Sequence, residues 1–294
     1  MKHDISVNAK EKTITFTNLL ADSTKIEFIR MSDNWCIYQN TIPNKHYAQS
    51  FARENGDYRL YIRETSQYEI DITIYDISII DDSFKIIKHE PSRNFDFNRE
   101  ITLITGSAGG GTSIVTRFFK FLGAHAGDDS GDVKVRKMHE AYGFKLWVKG
   151  LDENIPNDYH KKNFYKVADT YNYKEGKVNI IKIPESETQL NMLGDIFPNL
   201  KLITIVREQN NFFGTNEGKR FHSMDKFELF KKQYPIVEGL PVFNLDFYKF
   251  FTDYHYTNKV LKFLKLDCII TNESQFEFIK ENINFDKRAL EKKN

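Results

Sequence analysis

The residues best suited to chemistry form a glycine-rich stretch, ITLITGSAGGGTSIVTRFF, at positions 101–119. It begins with an apolar run of strand length, continues with a loop that contains four glycines, and ends with the start of a helix. Glycine lets backbone amides approach an anion closely, and the N-terminus of the following helix adds a partial positive charge. The stretch therefore predicts a phosphate-binding loop between a strand and a helix.

Two common nucleotide-binding patterns fit this loop poorly. The pattern G-x-x-x-x-G-K-[ST] matches at Gly106, Gly111 and Ser113, but Thr112 stands where the pattern has its lysine. The dinucleotide pattern G-x-G-x-x-G finds no match at the required spacing. An ATPase or kinase without the lysine would lack its main contact to the γ-phosphate. A P-loop kinase or NTPase with an unusual loop is therefore an alternative hypothesis and not the leading one.

A third pattern accounts for the loop and the residues after it. The segment ITGSAGGGTSIVTRFFKFLGAHAGDD, residues 104–129, resembles the start of the sulfotransferases that use 3′-phosphoadenosine-5′-phosphosulfate (PAPS). That family has G-x-P-[RK]-S-G-T-[ST] in the loop and LG-x-H-x-GD in the turn that follows the helix. Gly106, Gly111, Thr112 and Ser113 match the loop, and LGAHAGD at 122–128 matches the turn.

Two later segments extend the resemblance to about residues 101–268. PVFNLDFYKFFTDYHYTNKVLKFLKLD, residues 241–267, resembles a later strand and helix of the family. KLITIVREQNNFFGT, residues 201–215, is similar to the family's strand-then-arginine element, in which an arginine and a later hydroxyl bind the nucleotide 3′-phosphate. Arg207 and Thr215 stand at these positions. An arginine suits the task because its planar fork forms charge-assisted bonds to phosphate.

The resemblance implies a donor, a product and a set of binding residues. PAPS would be the sulfuryl donor and adenosine 3′,5′-bisphosphate the product, and no metal is expected. The implied cofactor-binding residues are Gly106, Ser107, Ala108, Gly109, Gly110, Gly111, Thr112, Ser113, Arg207 and Thr215.

The loop departs from the family at the position of its cation. Where the family has proline, then lysine or arginine, then serine, this chain has Ala108, Gly109 and Gly110. We expect Lys182 to replace the missing cation, because it lies near the carboxyl end of a predicted parallel strand, the edge at which α/β sheets bind ligands. Lys149 and Arg117 are weaker alternatives.

Transfer of a sulfuryl group also calls for a base that removes the acceptor's proton. His139 and Glu140 follow the first helix and are the candidates, although each residue type is also common on protein surfaces. Lys182, His139 and Glu140 are therefore the predicted catalytic residues.

Composition limits the remaining classes of function. Lysine and arginine total 42 and aspartate and glutamate 41, so the net charge of +1 gives no reason to expect a nucleic-acid partner. The two cysteines form no metal or redox motif, and the sequence contains no apolar run long enough to cross a membrane. We expect a cytoplasmic protein without a membrane span.

The apolar pattern changes once along the chain. Residues up to about 90 alternate in short runs such as KTITFTNLL and YEIDITIYDISII, which predicts a small all-β sandwich over residues 1–92. Within it, GDYRLYI at 56–62 resembles the sixth strand of immunoglobulin or fibronectin type III modules, where a tyrosine secures a corner. After a polar linker, apolar runs alternate with helical stretches, which predicts an α/β domain over residues 99–294 with a parallel sheet. The resemblance implies helices on both faces, as in the P-loop-like sulfotransferase fold.

The leading hypothesis is a PAPS-dependent sulfotransferase that acts on a hydroxyl or amine of a carbohydrate, lipid or other small-molecule acceptor. A second alternative is a catalytically inactive nucleotide-binding or interaction module of the same fold. The sandwich is open to three roles: holding an extended acceptor, contacting a partner, or forming a homodimer.

Overall fold

The computed structural model describes residues 3–8, 10–32, 35–51, 54–67, 69–90, 95–106, 110–127, 141–183, 189–206 and 239–285. The chain forms two compact units. The first contains Met1–Phe95 and Tyr142–Asn172, and the second contains Asp96–Ala141 and Tyr173–Asn294.

The first unit is built on antiparallel strands, as the alternating pattern predicts. Its described strands are β1 (His3–Asn8), β2 (Thr13–Asn18), β3 (Ser23–Arg30), β4 (Trp35–Pro43), β5 (Tyr47–Phe51), β6 (Gly56–Ser66), β7 (Glu69–Ile80) and β8 (Ser83–Lys88). They form two sheets, with orders β1-β2-β5 and β4-β3-β6-β7-β8. One hydrophobic cluster joins the sheets, and it includes Phe16 from the first and Phe28, Leu60 and Ile77 from the second.

A tyrosine bond closes the corner before β6. The Tyr58 hydroxyl donates to the backbone oxygen of Glu54 at 2.6 Å, and the ring, which is 1% exposed, stacks on Phe28. In immunoglobulin-type sandwiches, a tyrosine near the start of the sixth strand makes a bond of this kind to the backbone a few residues upstream. The bond agrees with the role predicted from GDYRLYI, while membership of either family stays a prediction.

Two helices cover part of the other face of the larger sheet. They are α2 (Tyr142–Val148) and α3 (Asn157–Tyr171), and their aromatic residues Phe144, Trp147 and Phe164 pack on one another with ring centroids 5.0–5.4 Å apart. This helical hairpin of α2 and α3 lies close to the sheet because α2 carries Gly143 at its contact with Tyr61 of β6.

The contact between α3 and β7 includes hydrogen bonds as well as apolar packing. The Asn163 side chain, 3% exposed, accepts from the Ile72 amide at 3.0 Å and donates to the Ile70 oxygen at 2.5 Å. These backbone groups lie in the part of β7 that precedes its pairing with β8, which begins at Tyr75. Asn163 thus takes the place of a neighbouring strand there.

The division into units differs from the predicted domains in one segment. The apolar pattern predicts that all residues from 99 onward form the α/β domain, but Tyr142–Asn172 belongs to the first unit. The physical reason is that α2 and α3 bury their aromatic residues with β6 and β7, whereas the periodicity of a helix does not specify which sheet it covers.

The second unit contains the parallel sheet that the apolar runs predict. Its described strands are β9 (Ile101–Gly106), β10 (Ile180–Lys182), β11 (Leu200–Val206) and β12 (Val242–Asp246), in the order β10-β9-β11-β12. Its described helices are α1 (Thr112–Phe121), α4 (Leu190–Ile196), α5 (Phe247–Thr252), α6 (Tyr254–Leu264) and α7 (Glu273–Asn282). All neighbouring strands are parallel, and every residue of β9 is buried. The prediction of a mixed fold with antiparallel and parallel sheets is confirmed.

Membrane insertion finds no support in the helices. In the described segments, none combines the length and the apolar character that crossing a bilayer requires.

Candidate anion-binding site

The predicted loop lies at the carboxyl edge of the parallel sheet. It connects Gly106, the last residue of the central strand β9, to Thr112, the first residue of α1. Open α/β sheets bind ligands at this edge because several strand ends and helix N-termini meet there. Ser107, Ala108 and Gly109 lie outside the described residues.

The surroundings of two loop glycines restrict the space for a side chain. Gly111 has φ 98° and ψ 9°, and a Cβ atom placed on it would lie 2.2 Å from Cε2 of Phe247. A Cβ atom on Gly106 would lie 3.1 Å from Cγ2 of Thr112 and 3.2 Å from the Ile205 oxygen. At Gly111 there is therefore no room for a Cβ atom unless the Phe247 ring moves, and at Gly106 a Cβ atom would fit tightly against Thr112 and Ile205.

No side-chain hydrogen bond from the cap residue occupies the N-terminus of α1. Gly111 occupies the cap position and, without a side chain, satisfies none of the first-turn amides. Uncapped amides at this end of a helix carry the positive end of the helix dipole. Thr112, the first residue of the helix, is 4% exposed. Its carbonyl oxygen accepts a hydrogen bond from the Thr116 hydroxyl, one turn later in the same helix, at 2.8 Å.

Lys182 brings a positive charge to this first turn. It ends β10, which pairs with β9 in parallel so that Lys182 lies beside Ile104. The side chain is 3% exposed, and its Nζ donates to Oγ of Ser113 at 2.9 Å. The ammonium group therefore reaches the turn that opens α1 from a neighbouring strand.

Among the predicted site residues, the structure brings together Lys182, Ser113 and the described loop residues Gly106, Gly110, Gly111 and Thr112. The predicted residues His139, Glu140, Arg207 and Thr215 lie outside the described residues, so their roles stay predictions. Strand β11 ends at Val206, directly before Arg207 in the sequence. Of the two weaker alternatives to Lys182, Arg117 lies in α1 and is 7% exposed, and Lys149 directly follows α2 in the first unit.

Sequence reasoning missed Phe247 and the residue before it. Asp246 ends β12 and caps α5, since its Oδ1 accepts from the Lys249 amide at 3.0 Å. The cap places Phe247 at the start of α5, where its ring lies against Gly111. An aspartate before an aromatic helix predicts the cap, but no local signal indicates the contact with a loop so distant in sequence.

No metal site accompanies the loop within the described segments. No group of three histidine, cysteine, aspartate or glutamate side chains lies close enough there to hold an ion.

Comparisons with known proteins assign no family. No protein-family model matches the chain, and no curated protein matches it. Among solved structures it is similar to a β-D-glucuronidase from Dictyoglomus thermophilum, with 9% identity and a TM-score of 0.21, over 83% of this chain and 43% of that one. It is also similar to the glycosylation-associated Gap123 complex from Streptococcus agalactiae, with 8% identity and a TM-score of 0.18, over 91% of this chain and 74% of that one. The chain spans less than half of the glucuronidase, and TM-scores this low carry no argument about fold or function.

Proposed function

We propose that this protein is a sulfotransferase that moves a sulfuryl group from PAPS to a hydroxyl or amine of a carbohydrate, lipid or other small-molecule acceptor. The observation that carries the proposal is the 2.9 Å bond between Lys182 Nζ and Ser113 Oγ at the start of α1. It supports the expectation that a cation from β10 replaces the cation that the loop lacks. The cytoplasmic location and the P-loop-like sulfotransferase fold belong to the same proposal.

Each part of the site has a task in this proposal. PAPS supplies an activated sulfuryl group whose sulfur–oxygen bond to the 5′-phosphate breaks as a bond from sulfur to the acceptor forms. The loop amides bind the 5′-phosphosulfate, and Lys182 stabilises the charge that builds up on the departing phosphate oxygen. Arg207 and Thr215 bind the 3′-phosphate, and His139 or Glu140 accepts the proton that the acceptor loses.

Ligand-induced stabilisation tests the choice of nucleotide. Adenosine 3′,5′-bisphosphate should raise the melting temperature without added metal, because amides and basic side chains neutralise its phosphates directly. Magnesium-ATP should give a smaller shift. A larger shift with magnesium-ATP would favour the kinase or NTPase alternative and exclude the PAPS proposal.

Substitution of Lys182 tests its role in the reaction. Lys182→Ala should lower turnover by about 10²- to 10³-fold, the usual effect of removing one stabilising group from a transition state. Binding of the bisphosphate should fall much less, since the interaction is used mainly in the transition state.

Lys201 provides a matched control for this experiment. It is another buried lysine of the sheet, at 9% exposure, but it lies near the start of β11 beside Thr102, at the amino edge opposite the loop. Lys201→Ala should leave turnover per folded molecule unchanged. A protein that binds the bisphosphate yet never transfers sulfate to any tested acceptor would support the inactive-module alternative.

A further inference from the structure

The last strand of the first unit leaves one edge of its sheet open. Strand β8 ends the order β4-β3-β6-β7-β8, and among the described strands it pairs with β7 alone. Its outer edge presents backbone N–H and C=O groups without strand partners in the described part of the chain. An edge of this kind is a template for another strand.

The side chains of β8 lack most of the features that protect a sheet edge. Its pairing with β7 runs from Ser83 to Lys88 without a bulge, and the strand contains no proline. Phe84 is 46% exposed and Ile87 is 49% exposed, on opposite faces of the sheet. The preceding Ile80 is 61% exposed. Among the features that protect a sheet edge, β8 has its two lysines, Lys85 and Lys88.

The neighbouring edge of the same sheet is covered by the chain itself. In β7, the residues before the β8 pairing bond to Asn163 of α3. The fold therefore covers one part of this edge with a side chain, while the outer edge of the six-residue β8 has no such cover among the described residues.

We propose that β8 pairs with β8 of a second copy of this chain, so that the five-stranded sheet continues across a two-fold axis. Strand β8 is complementary to itself in one antiparallel register, in which Lys85 lies opposite Lys85 of the second copy. Phe84 then lies opposite Ile86 and Ser83 opposite Ile87, while Asp82, in the turn directly before β8, lies next to Lys88 of the second copy. The symmetry repeats each of these contacts. Opposite residues in an antiparallel pair share a face and interact directly.

The charges select this register over its neighbours. It contains two Asp82–Lys88 ion pairs against a single contact between like charges at Lys85. A shift that places Ile86 opposite itself would bring Asp82 opposite Glu90 of the second copy and Phe84 opposite Lys88. The chosen register therefore places Phe84 against Ile86 and Asp82 beside Lys88, and its unfavourable contacts are the single Lys85–Lys85 contact and the two Ser83–Ile87 contacts.

Charge reversal tests the interface. The wild-type protein should be a dimer by sedimentation at concentrations of about 100 μM. Asp82→Lys alone and Lys88→Asp alone should each weaken the dimer about tenfold or more, because every ion pair becomes a like-charge pair. Mixing the two variants should restore the dimer. In the mixed dimer the introduced lysine faces the introduced aspartate, and the native Lys88 of one copy faces the native Asp82 of the other.

Two further variants make the test specific. Lys85→Thr should tighten the dimer, because it removes the like-charge contact that only this register creates. Lys45→Asp, a reversal in the exposed turn before β5, should leave the dimer unchanged. A monomeric wild type, a dimer insensitive to the Asp82 and Lys88 reversals, or a mixture that stays monomeric while both variants keep the wild-type circular dichroism would each overturn the proposal.

Discussion

Two glycines with the same backbone angle occupy different environments. Gly111, in the loop, and Gly123, after α1, both have φ 98°, but a Cβ atom on Gly123 would meet nothing within 4 Å. Replacing either residue places an alanine in the left-handed region, at a cost of about 1–2 kcal/mol. Only at Gly111 would the new atom also collide with the Phe247 ring.

We expect Gly111→Ala to lower the free energy of unfolding by clearly more than Gly123→Ala does, with a total loss of at least about 2 kcal/mol. Chemical denaturation of the two variants measures the difference. Phe247→Leu in the Gly111→Ala background should recover part of the loss, because it removes the ring atoms nearest the new Cβ. Equal losses for the two alanine variants would show that the packing of the loop against α5 contributes nothing.

A second prediction concerns the carboxylate of Asp76 in β7, which forms ion pairs with Arg59 of β6 and with His89, the residue after β8. Burial alone would raise the pKa of Asp76, but hydrogen bonds from His89 and Arg59 outweigh it and lower this pKa to about 2. A lowered pKa in the folded state stabilises the protein above the ordinary value of 3.8, and the effect is lost as the pH falls toward 2.

Asp76→Asn should therefore reduce the slope of unfolding free energy against pH between roughly pH 5 and pH 2. Urea denaturation across this range measures the slope. An unchanged slope for Asp76→Asn would mean that the three residues do not interact in solution.

At the scale of elements, the hairpin of α2 and α3 depends on one amide side chain. Asn163 satisfies a donor and an acceptor of the β7 backbone in a buried position. Asn163→Ala should cost about 2–4 kcal/mol, because both backbone groups lose their partner and stay buried. Asn154→Ala, in the exposed turn before α3, is the control and should cost less than about 1 kcal/mol. Denaturant melts of the two variants compare these costs.

The sequence predicts local structure better than it predicts which elements meet. Alternation in β2, β3, β6 and β7 and apolar runs in β9 and β11 predict strands because each pattern reports burial on one face or on two. Strands β5 and β8 are missed, since Tyr47, Lys85 and Lys88 are exposed and blur the alternation.

The candidate site shows the same limit. The loop and Lys182 are predictable because both lie at strand ends, where the direction of a parallel sheet fixes the edge. The contact between Gly111 and Phe247, by contrast, depends on how α5 packs after β12. No pattern within a single segment contains that information.

At the scale of the whole molecule, the first unit is assembled from two separate stretches of chain. Residues 1–95 contain both antiparallel sheets, but α2 and α3 come from Tyr142–Asn172. Without these helices the buried residues Tyr61, Ile72 and Ile74 on the larger sheet would lose apolar neighbours. An exposed apolar patch of this kind favours aggregation.

A fragment of residues 1–95 should therefore be less soluble and less cooperative in thermal unfolding than the same fragment joined by a glycine–serine linker to residues 142–172. Size-exclusion chromatography and circular dichroism measure both properties. As a control, a fusion to the same segment carrying Asn163→Ala should fall between the two. Equal behaviour of the fragment with and without the helices would show that the sheets fold without them.

The position of Tyr142–Asn172 in the chain also determines when the first unit can be completed during synthesis. The chain passes between the two units after Phe95, after Ala141 and after Asn172. On the ribosome, both sheets of the first unit emerge long before the helices that complete it, while β9 and α1 emerge in between. An N-terminal domain usually folds before the next one begins, but the first unit of this protein can be completed only after residue 172 has left the exit tunnel.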